Sequence, residues 1–319
     1  MKHPFRTLLA PCLLAPFILF VTGCQSPEKS AQKSSVDVRS ELSISRTDSD
    51  IAISWADFIG QAAEADIIVL GEEHDDATGH AVQLAVVEDV MDYRGGGTLA
   101  LEMLERDEQF LIDDLMDGII DHETFAKETS STSWAGKGSW TAWYRPIIES
   151  AIAHDGRIIA ANAPRRYVRL ARTRNWEALE ELPGERSRFV AMPEEPIDGV
   201  YRERFFEIMG PDEDESEIGE ELDLSYIEPF YRAQQIWDAT MAESVSDAIK
   251  EHGAPVILMV GRFHSDHEGG TVREIRRLLP DHELLVVSLE TGRGFPLDAG
   301  SDVPKADVVV YTRVQESPD

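Results

Sequence analysis

The stretch Ile67-Ile68-Val69-Leu70-Gly71-Glu72-Glu73-His74 has a counterpart far along the chain, Val256-Ile257-Leu258-Met259-Val260-Gly261-Arg262-Phe263-His264. Each is a short apolar, largely β-branched run cut off by Gly, which reads as a buried strand meeting a tight turn. Each His therefore sits just past a strand's carboxyl end. In a parallel sheet those ends share one rim, and that rim is where open α/β sheets place ligands. His74 and His264 are expected to be neighbours in space.

Working outward, strands and helices alternate. A helix near Trp55–Ala63 starts at the Ser54/Asp57 capping pair and leads into strand Ile67–Leu70. A helix from about Gly79 to Asp92 ends at Gly95-Gly96-Gly97, and Thr98–Met103 follows as a strand. Helical segments fill about Arg106–Met116 and Thr141–Ala153, before strand Arg157–Ala161. Helices near Asp198–Met209 and Ile227–Lys250 precede strand Val256–Val260. A helix near Thr271–Leu279 and strands Leu284–Leu289 and Asp307–Thr312 complete the order. The pattern predicts an α/β fold: a mainly parallel central sheet with helices on both faces.

The amino-terminal residues read as an address. Lys2 and Arg6 precede the apolar run Leu8–Val21, which Pro11 and Pro16 interrupt and which is too short to span a bilayer. Val21-Thr22-Gly23-Cys24 then resembles the lipobox of bacterial lipoproteins. That resemblance implies a signal peptide over 1–23, acylation of Cys24, and an exported, lipid-anchored chain. Gln25 in place of Asp favours the outer membrane, facing the periplasm or the cell surface. Residues 24–50, rich in Ser, Lys, Gln and Asp, read as a flexible tether, leaving 51–319 as one domain. Cys12 leaves with the signal peptide, so the mature chain has no thiol to spare for a disulfide.

Sixty acidic against 30 basic side chains give a net charge of −30 at pH 7. A field of that sign repels nucleic acid, which is excluded as a partner. The dense run Pro211–Glu221 lacks the spacing of a calcium loop and reads as a solvated surface segment.

Several polar groups converge on the predicted rim: Glu73 and His74, Glu102, Asn162 and His264. A carboxylate within Leu99–Met103 is costly unless it is paired or holds a cation, although capping a helix or pairing with an Arg would serve equally. Two imidazoles with carboxylates suit a divalent first-row metal, or a base and an electrophile for hydrolysis. In the long helix, Gln234 and Asp238 lie one turn apart, where the acid either orients a ligand imidazole or belongs to an exposed polar face. Arg165 and Arg262 stand beside the rim, where they either receive an anionic group or pair with local acids. His267, in Ser265–Gly270, is either a further ligand or a loop residue.

The ordered set of motifs resembles a known family. Gly71–Asp75 with His80 and Gln83, Ala100–Met103, Trp143-Tyr144 with Pro146, Ala160–Arg165, Ala233-Gln234 with Trp237-Asp238 and Met241-Ala242, and Gly261–His264 resemble the signature of ChaN-like lipoproteins, the haem-binding-uptake branch of the Tiki/TraB/erythromycin-esterase superfamily. The resemblance runs over roughly Ile51–Leu289. For the superfamily's hydrolases it implies a metal such as manganese, zinc or cobalt on His74, Glu102 and His264, with Glu73 nearby. For the ChaN branch it implies haem or another small-molecule ligand, iron uptake, and a homodimer with a tyrosine ligand at its interface. No haem-ligand motif carries over, which leaves Tyr144, Tyr201, Tyr226 and Tyr231 as candidates. His80, Asn162, Arg165, Arg262 and Asp238 are the other residues expected around such a ligand. One departure is Ser265–Gly270, where the family carries a basic, Val-Pro-containing stretch.

Overall fold

The structure, a computed structural model, describes residues 31–49, 51–129, 134–210, 224–292 and 303–313. The elements are β1 (Ser43–Arg46), β2 (Ile51–Ala52), α1 (Trp55–Glu64), β3 (Ile67–Glu72), α2 (Ala77–Arg94), β4 (Thr98–Glu105), α3 (Gln109–Met116), α4 (His122–Glu128), α5 (Arg145–Ala153), β5 (Arg157–Asn162), α6 (Arg165–Arg174), α7 (Glu177–Glu180), α8 (Val200–Met209), α9 (Glu228–His252), β6 (Val256–Gly261), α10 (Arg262–Ser265), α11 (Gly270–Leu278), β7 (Leu284–Glu290) and β8 (Val308–Tyr311). They build one eight-stranded sheet in the order β2-β1-β8-β7-β3-β6-β4-β5. It is parallel from β8 to β5, with β1 and β2 added antiparallel at one edge.

β3 and β6 lie side by side in register, Leu70 opposite Met259 and Glu72 opposite Gly261. The two Gly-x-x-His turns thus leave neighbouring strands at one rim. Alternation along β3 sorts its side chains: Ile68 and Leu70 join one apolar layer with Val82, Val86 and Val90 of α2, and Ile67 and Val69 join the other with Met241 and Val245 of α9. A smaller apolar cluster, Ile197, Tyr201, Phe205, Ile227 and Tyr231, gathers α8 against the start of α9, with Phe263 packed on it.

The expected tether is shorter than 24–50. Trp143 Nε1 donates to the Gln32 carbonyl at 2.8 Å, Ser34 Oγ meets Thr78 Oγ1 at 3.1 Å, and Arg39 pairs with Glu88 and Asp89 at 2.8 Å. Ser43–Arg46 then pairs with β8, so from Ala31 onward the chain belongs to the domain. The correction has a physical cause: these polar residues bury little themselves and are held by partners far away in sequence. Cys24 and the whole acidic run Pro211–Glu221 lie outside the described residues.

The β5 edge of the sheet is closed by a side chain. Gln109 donates from Nε2 to the Ile158 carbonyl at 3.0 Å and accepts from the Ala160 N–H at 2.8 Å, standing in for a ninth strand. Exposed strand edges invite pairing between chains. Gln109→Ala should free both backbone groups, with a cost of about 1 kcal/mol per lost hydrogen bond. Light scattering should then show concentration-dependent association absent from the native chain.

Candidate functional site

The rim is built from two imidazoles, each held by a buried acid. β3 carries its alternation one step past Leu70, so Glu72 faces α2, where its side chain is almost completely buried. Glu72 Oε1 accepts from His74 Nδ1 at 2.8 Å and from the Tyr144 hydroxyl at 3.0 Å, while Oε2 accepts from Gln83 Nε2 at 2.6 Å. His80 completes this cluster: Nδ1 donates to Gln83 Oε1 at 2.8 Å and Nε2 donates to the His74 carbonyl at 3.1 Å. Both His80 nitrogens face oxygen atoms, and Glu72 Oε2 lies 3.7 Å from Nδ1. A π-helical turn over Trp140–Tyr144 delivers Trp143 to stack on His80 at 4.5 Å and Tyr144 to reach Glu72.

Burial alone would raise Glu72, but the charge of His80 and the hydrogen bond and charge of His74 outweigh it and hold the carboxyl at about 2. Burial alone would lower His74, but the Glu72 hydrogen bond and the Glu102 charge lift it to about 9. Burial beside the Glu72 charge pushes the Tyr144 phenol well up.

The second imidazole has a matching support. Asp238, fully buried in α9, accepts at Oδ1 from His264 Nδ1 at 2.6 Å and Thr271 Oγ1 at 2.7 Å, and at Oδ2 from the Tyr201 hydroxyl at 2.7 Å. Gly270 makes the approach possible, because a Cβ there would stand 2.3 Å from Asp238 Oδ2. Gln234 Nε2 lies 3.2 and 3.3 Å from the two ring nitrogens and donates to the Tyr201 oxygen at 3.1 Å. Desolvation opposes the His264 cation, but the Asp238 and Glu102 charges prevail and raise its pKa.

Glu102 stands between the two. Its Oε2 accepts from the Gly261 N–H at 2.6 Å, and Oε1 lies 3.5 Å from His264 Nε2. A Cβ on Gly261 would lie 3.1 Å from His74 Nε2 and 3.6 Å from Glu102 Oε2, so the ring of His74 and the carboxylate converge on that glycine. His74, Gln234, Gly261 and His264 line a crevice of about 510 Å³, whose apolar wall is Phe205, Ile208, Met209 and Phe263. Each His spends Nδ1 on its acid, which fixes the orientation of the ring and turns Nε2 towards the rim.

Other expected residues do different work. Glu73 turns away, accepting from Arg262 Nη1 at 3.1 Å and from Thr291 Oγ1 at 2.9 Å. Glu72, which the sequence reading passed over, takes the place expected of Glu73, because the strand runs two residues past Leu70. Arg262 is buried against Glu73, Asp266 and Glu290, and those acids, rather than an incoming anion, hold its guanidinium. Asn162 donates to the Glu102 carbonyl at 2.9 Å and steadies the strand end. His80 and Tyr144 are buried supports of His74 and do not open onto the crevice. Arg165 is half exposed, with its guanidinium 4.8 Å above the ring of Trp134, which in turn meets His74 edge-on at 5.8 Å. Trp134, in a Ser/Gly-rich loop, was not signalled by any periodicity. His267 donates from Nδ1 to the Val303 carbonyl at 2.9 Å and belongs to that loop contact. The expected metal set of His74, Glu102 and His264 shares the rim, yet no group of three or more His, Cys, Asp or Glu among the described residues is arranged to hold an ion.

The crevice lies at the carboxyl rim of a mainly parallel sheet, where strand order doubles back around β3, β6 and β4, the place at which open α/β proteins as a class hold their ligands. The chain belongs to the haem-binding uptake family ChaN of the Tiki superfamily, which matches residues 58–275. Among solved structures it is similar to ChaN of Campylobacter jejuni, described for cofacial haem binding, with 19% identity and a TM-score of 0.63, over 85% of this chain and 97% of that one. It is also matched to the type III effector HopBA1, with 12% identity and a TM-score of 0.42, over 79% of this chain and 89% of that one. A search of curated proteins finds no match.

Proposed function

We propose that this protein binds haem in the rim crevice and serves haem or iron uptake as an exported lipoprotein anchored through acylated Cys24. The observation that carries the reading is the crevice itself, apolar on the side of Phe205, Ile208, Met209 and Phe263 and polar on the side of His74, Gln234 and His264. Of the four candidate tyrosines, Tyr144, Tyr201 and Tyr231 are buried with their hydroxyls committed to Glu72, Asp238 and the Ile197 carbonyl. Tyr226 is exposed, and its hydroxyl lies 3.5 Å from the carbonyl of Met209, a residue of the crevice wall. Phenolate is an established axial ligand for haem iron. Tyr226 would hold the iron, and Arg165 would receive a propionate. Cofacial binding, as described for the Campylobacter relative, would bring two copies together, making a homodimer of the loaded form.

Hemin titrated into purified protein should shift the Soret band, and Tyr226→Phe should remove that shift while leaving thermal unfolding unchanged. A native chain that leaves the hemin spectrum as it is in buffer would overturn the reading. Acylation is checked separately by mass spectrometry of the membrane-isolated chain against Cys24→Ala.

One observation favours a second reading, hydrolysis of an ester or amide by acid–base catalysis. Two imidazoles, each oriented by a buried acid and flanking Glu102, form a set able to take up and return protons. Ester-cleaving activity that disappears in a His74→Ala/His264→Ala double variant would establish it.

A further inference from the structure

The connection between Cys24 and the folded domain is short, and its point of attachment is at the crevice rim. The Ala31 N–H donates to the Lys137 carbonyl at 3.0 Å, and the next residue accepts from Trp143, whose ring stacks on His80. Two residues further, Ser34 meets Thr78 in the first turn of α2, directly after the Gly71–His74 turn. Lys137 belongs to the same loop as Trp134, which packs on His74. The strap therefore joins the domain at the end of the sheet that carries His74 and His264. The opposite end is marked by the carboxyl terminus of α9, whose 25 residues span about 37 Å, with Asp238 at the rim and Glu251 about 20 Å away.

From Cys24 to Ala31 the chain has seven peptide steps, a reach of at most about 25 Å however it is arranged. We infer that this short connection, fastened at the carboxyl rim, holds the crevice against the lipid surface, so that its ligand is exchanged with the bilayer. The inference rests on the acylation of Cys24 proposed above. The partner is a lipid surface, and it is the anchor that sets the orientation: with a net charge of −30 the protein is not drawn to anionic headgroups. A domain attached with the far end down would need the connection drawn out to nearly its full length along those roughly 20 Å, whereas the rim-down attachment lets it stay slack.

Because the acylated chain has no other thiol, single cysteines report the geometry cleanly. Asp75→Cys at the rim and Glu251→Cys at the far end are both exposed positions. Each variant is isolated acylated, labelled with a fluorescent donor, and reconstituted into phosphatidylcholine vesicles carrying a headgroup acceptor. Energy transfer should be severalfold stronger from position 75 than from position 251. A flexible Gly/Ser insert of twenty residues after Ser26 should bring the two signals together. Mass spectrometry and vesicle flotation establish the anchor independently. An acylated, vesicle-bound chain with equal transfer from both positions overturns the orientation while leaving the anchor intact, and a chain that carries no lipid overturns both.

Discussion

Glu72→Gln should remove most of the acid limb of this protein's stability curve. Glu72 is buried, accepts from His74, Tyr144 and Gln83, and lies 3.7 Å from His80. Its carboxyl is held at about 2, against 4.5 for the free group. A folded-state value below the unfolded one means that the stabilisation is complete above about pH 4.5 and is lost as pH falls through about 2. A depression of that size corresponds to about 3 kcal/mol. Gln at position 72 keeps the volume but sets an amide donor among groups that already donate, so the loss at neutral pH should be of that order or larger. Urea unfolding midpoints measured across pH should differ widely at pH 6 and converge near pH 2. Parallel curves for the two proteins would show that the cluster contributes no pH-dependent stability. His74 acts in the opposite sense: its folded value is raised to about 9, so its contribution is present below about pH 6.5 and is lost as pH rises through 9.

Gly270→Ala should be among the most damaging single-methyl additions to the fold, and Gly261→Ala one of the least damaging to stability despite lying in the site. At Gly270 the new methyl would meet Asp238 Oδ2 at 2.3 Å, Asp238 Cγ at 2.5 Å and Tyr201 Cε1 at 2.8 Å. Asp238 is fixed by three donors and Tyr201 is buried, so neither can withdraw without breaking the hydrogen bonds that orient His264. Overpacking alone costs about 1–3 kcal/mol. Stripping a partner from a buried charged group brings the total to about 3–5 kcal/mol. At Gly261 the methyl would meet the His74 ring at 3.0 Å, and that ring, half open to solvent, can move by the few tenths of an ångström required. Gly261→Ala should keep its melting temperature within a few degrees of native and weaken ligand binding instead. If the two variants unfold together, the Asp238 cluster is not the rigid support described here.

The parts of the fold that announced themselves in the sequence are those whose side chains are buried on both faces. β3, β6 and β7 read as continuous apolar runs because helices cover the sheet on either side. β1 and β2 did not, since their four and two residues lie in a polar stretch, where β1 gains its pairing from β8, more than 250 positions away, and β2 pairs in turn with β1. α4, α6 and α7 were also missed: α4 and α7 are only seven and four residues long, and the ten residues of α6 include five arginines that hide its narrow apolar face.

The site was legible in the same measure. His74 and His264 follow the ends of β3 and β6, and the repeated Gly-x-x-His motif was enough to bring them to one rim, which Glu102 reaches from within β4. The acid beside His74 was misassigned by one residue, because the reading stopped the strand at Leu70. Continuing the alternation Ile68, Leu70, Glu72 would have aimed Glu72 at α2, where His80 and Gln83 sit one turn apart. Trp134 and the clasp of residues 31–39 depend on contacts between loops, for which one chain offers no periodic sign.

The central place of β3 also governs when the molecule can assemble. Its hydrogen-bonding neighbours, β6 and β7, begin 189 and 217 positions downstream, at Val256 and Leu284 opposite Ile67. Parallel pairing across such spans closes late, because the loop entropy is spent before any contact repays it. A nascent chain of this design cannot close the centre of its sheet, or shape the pocket at its rim, until nearly its whole length has been made.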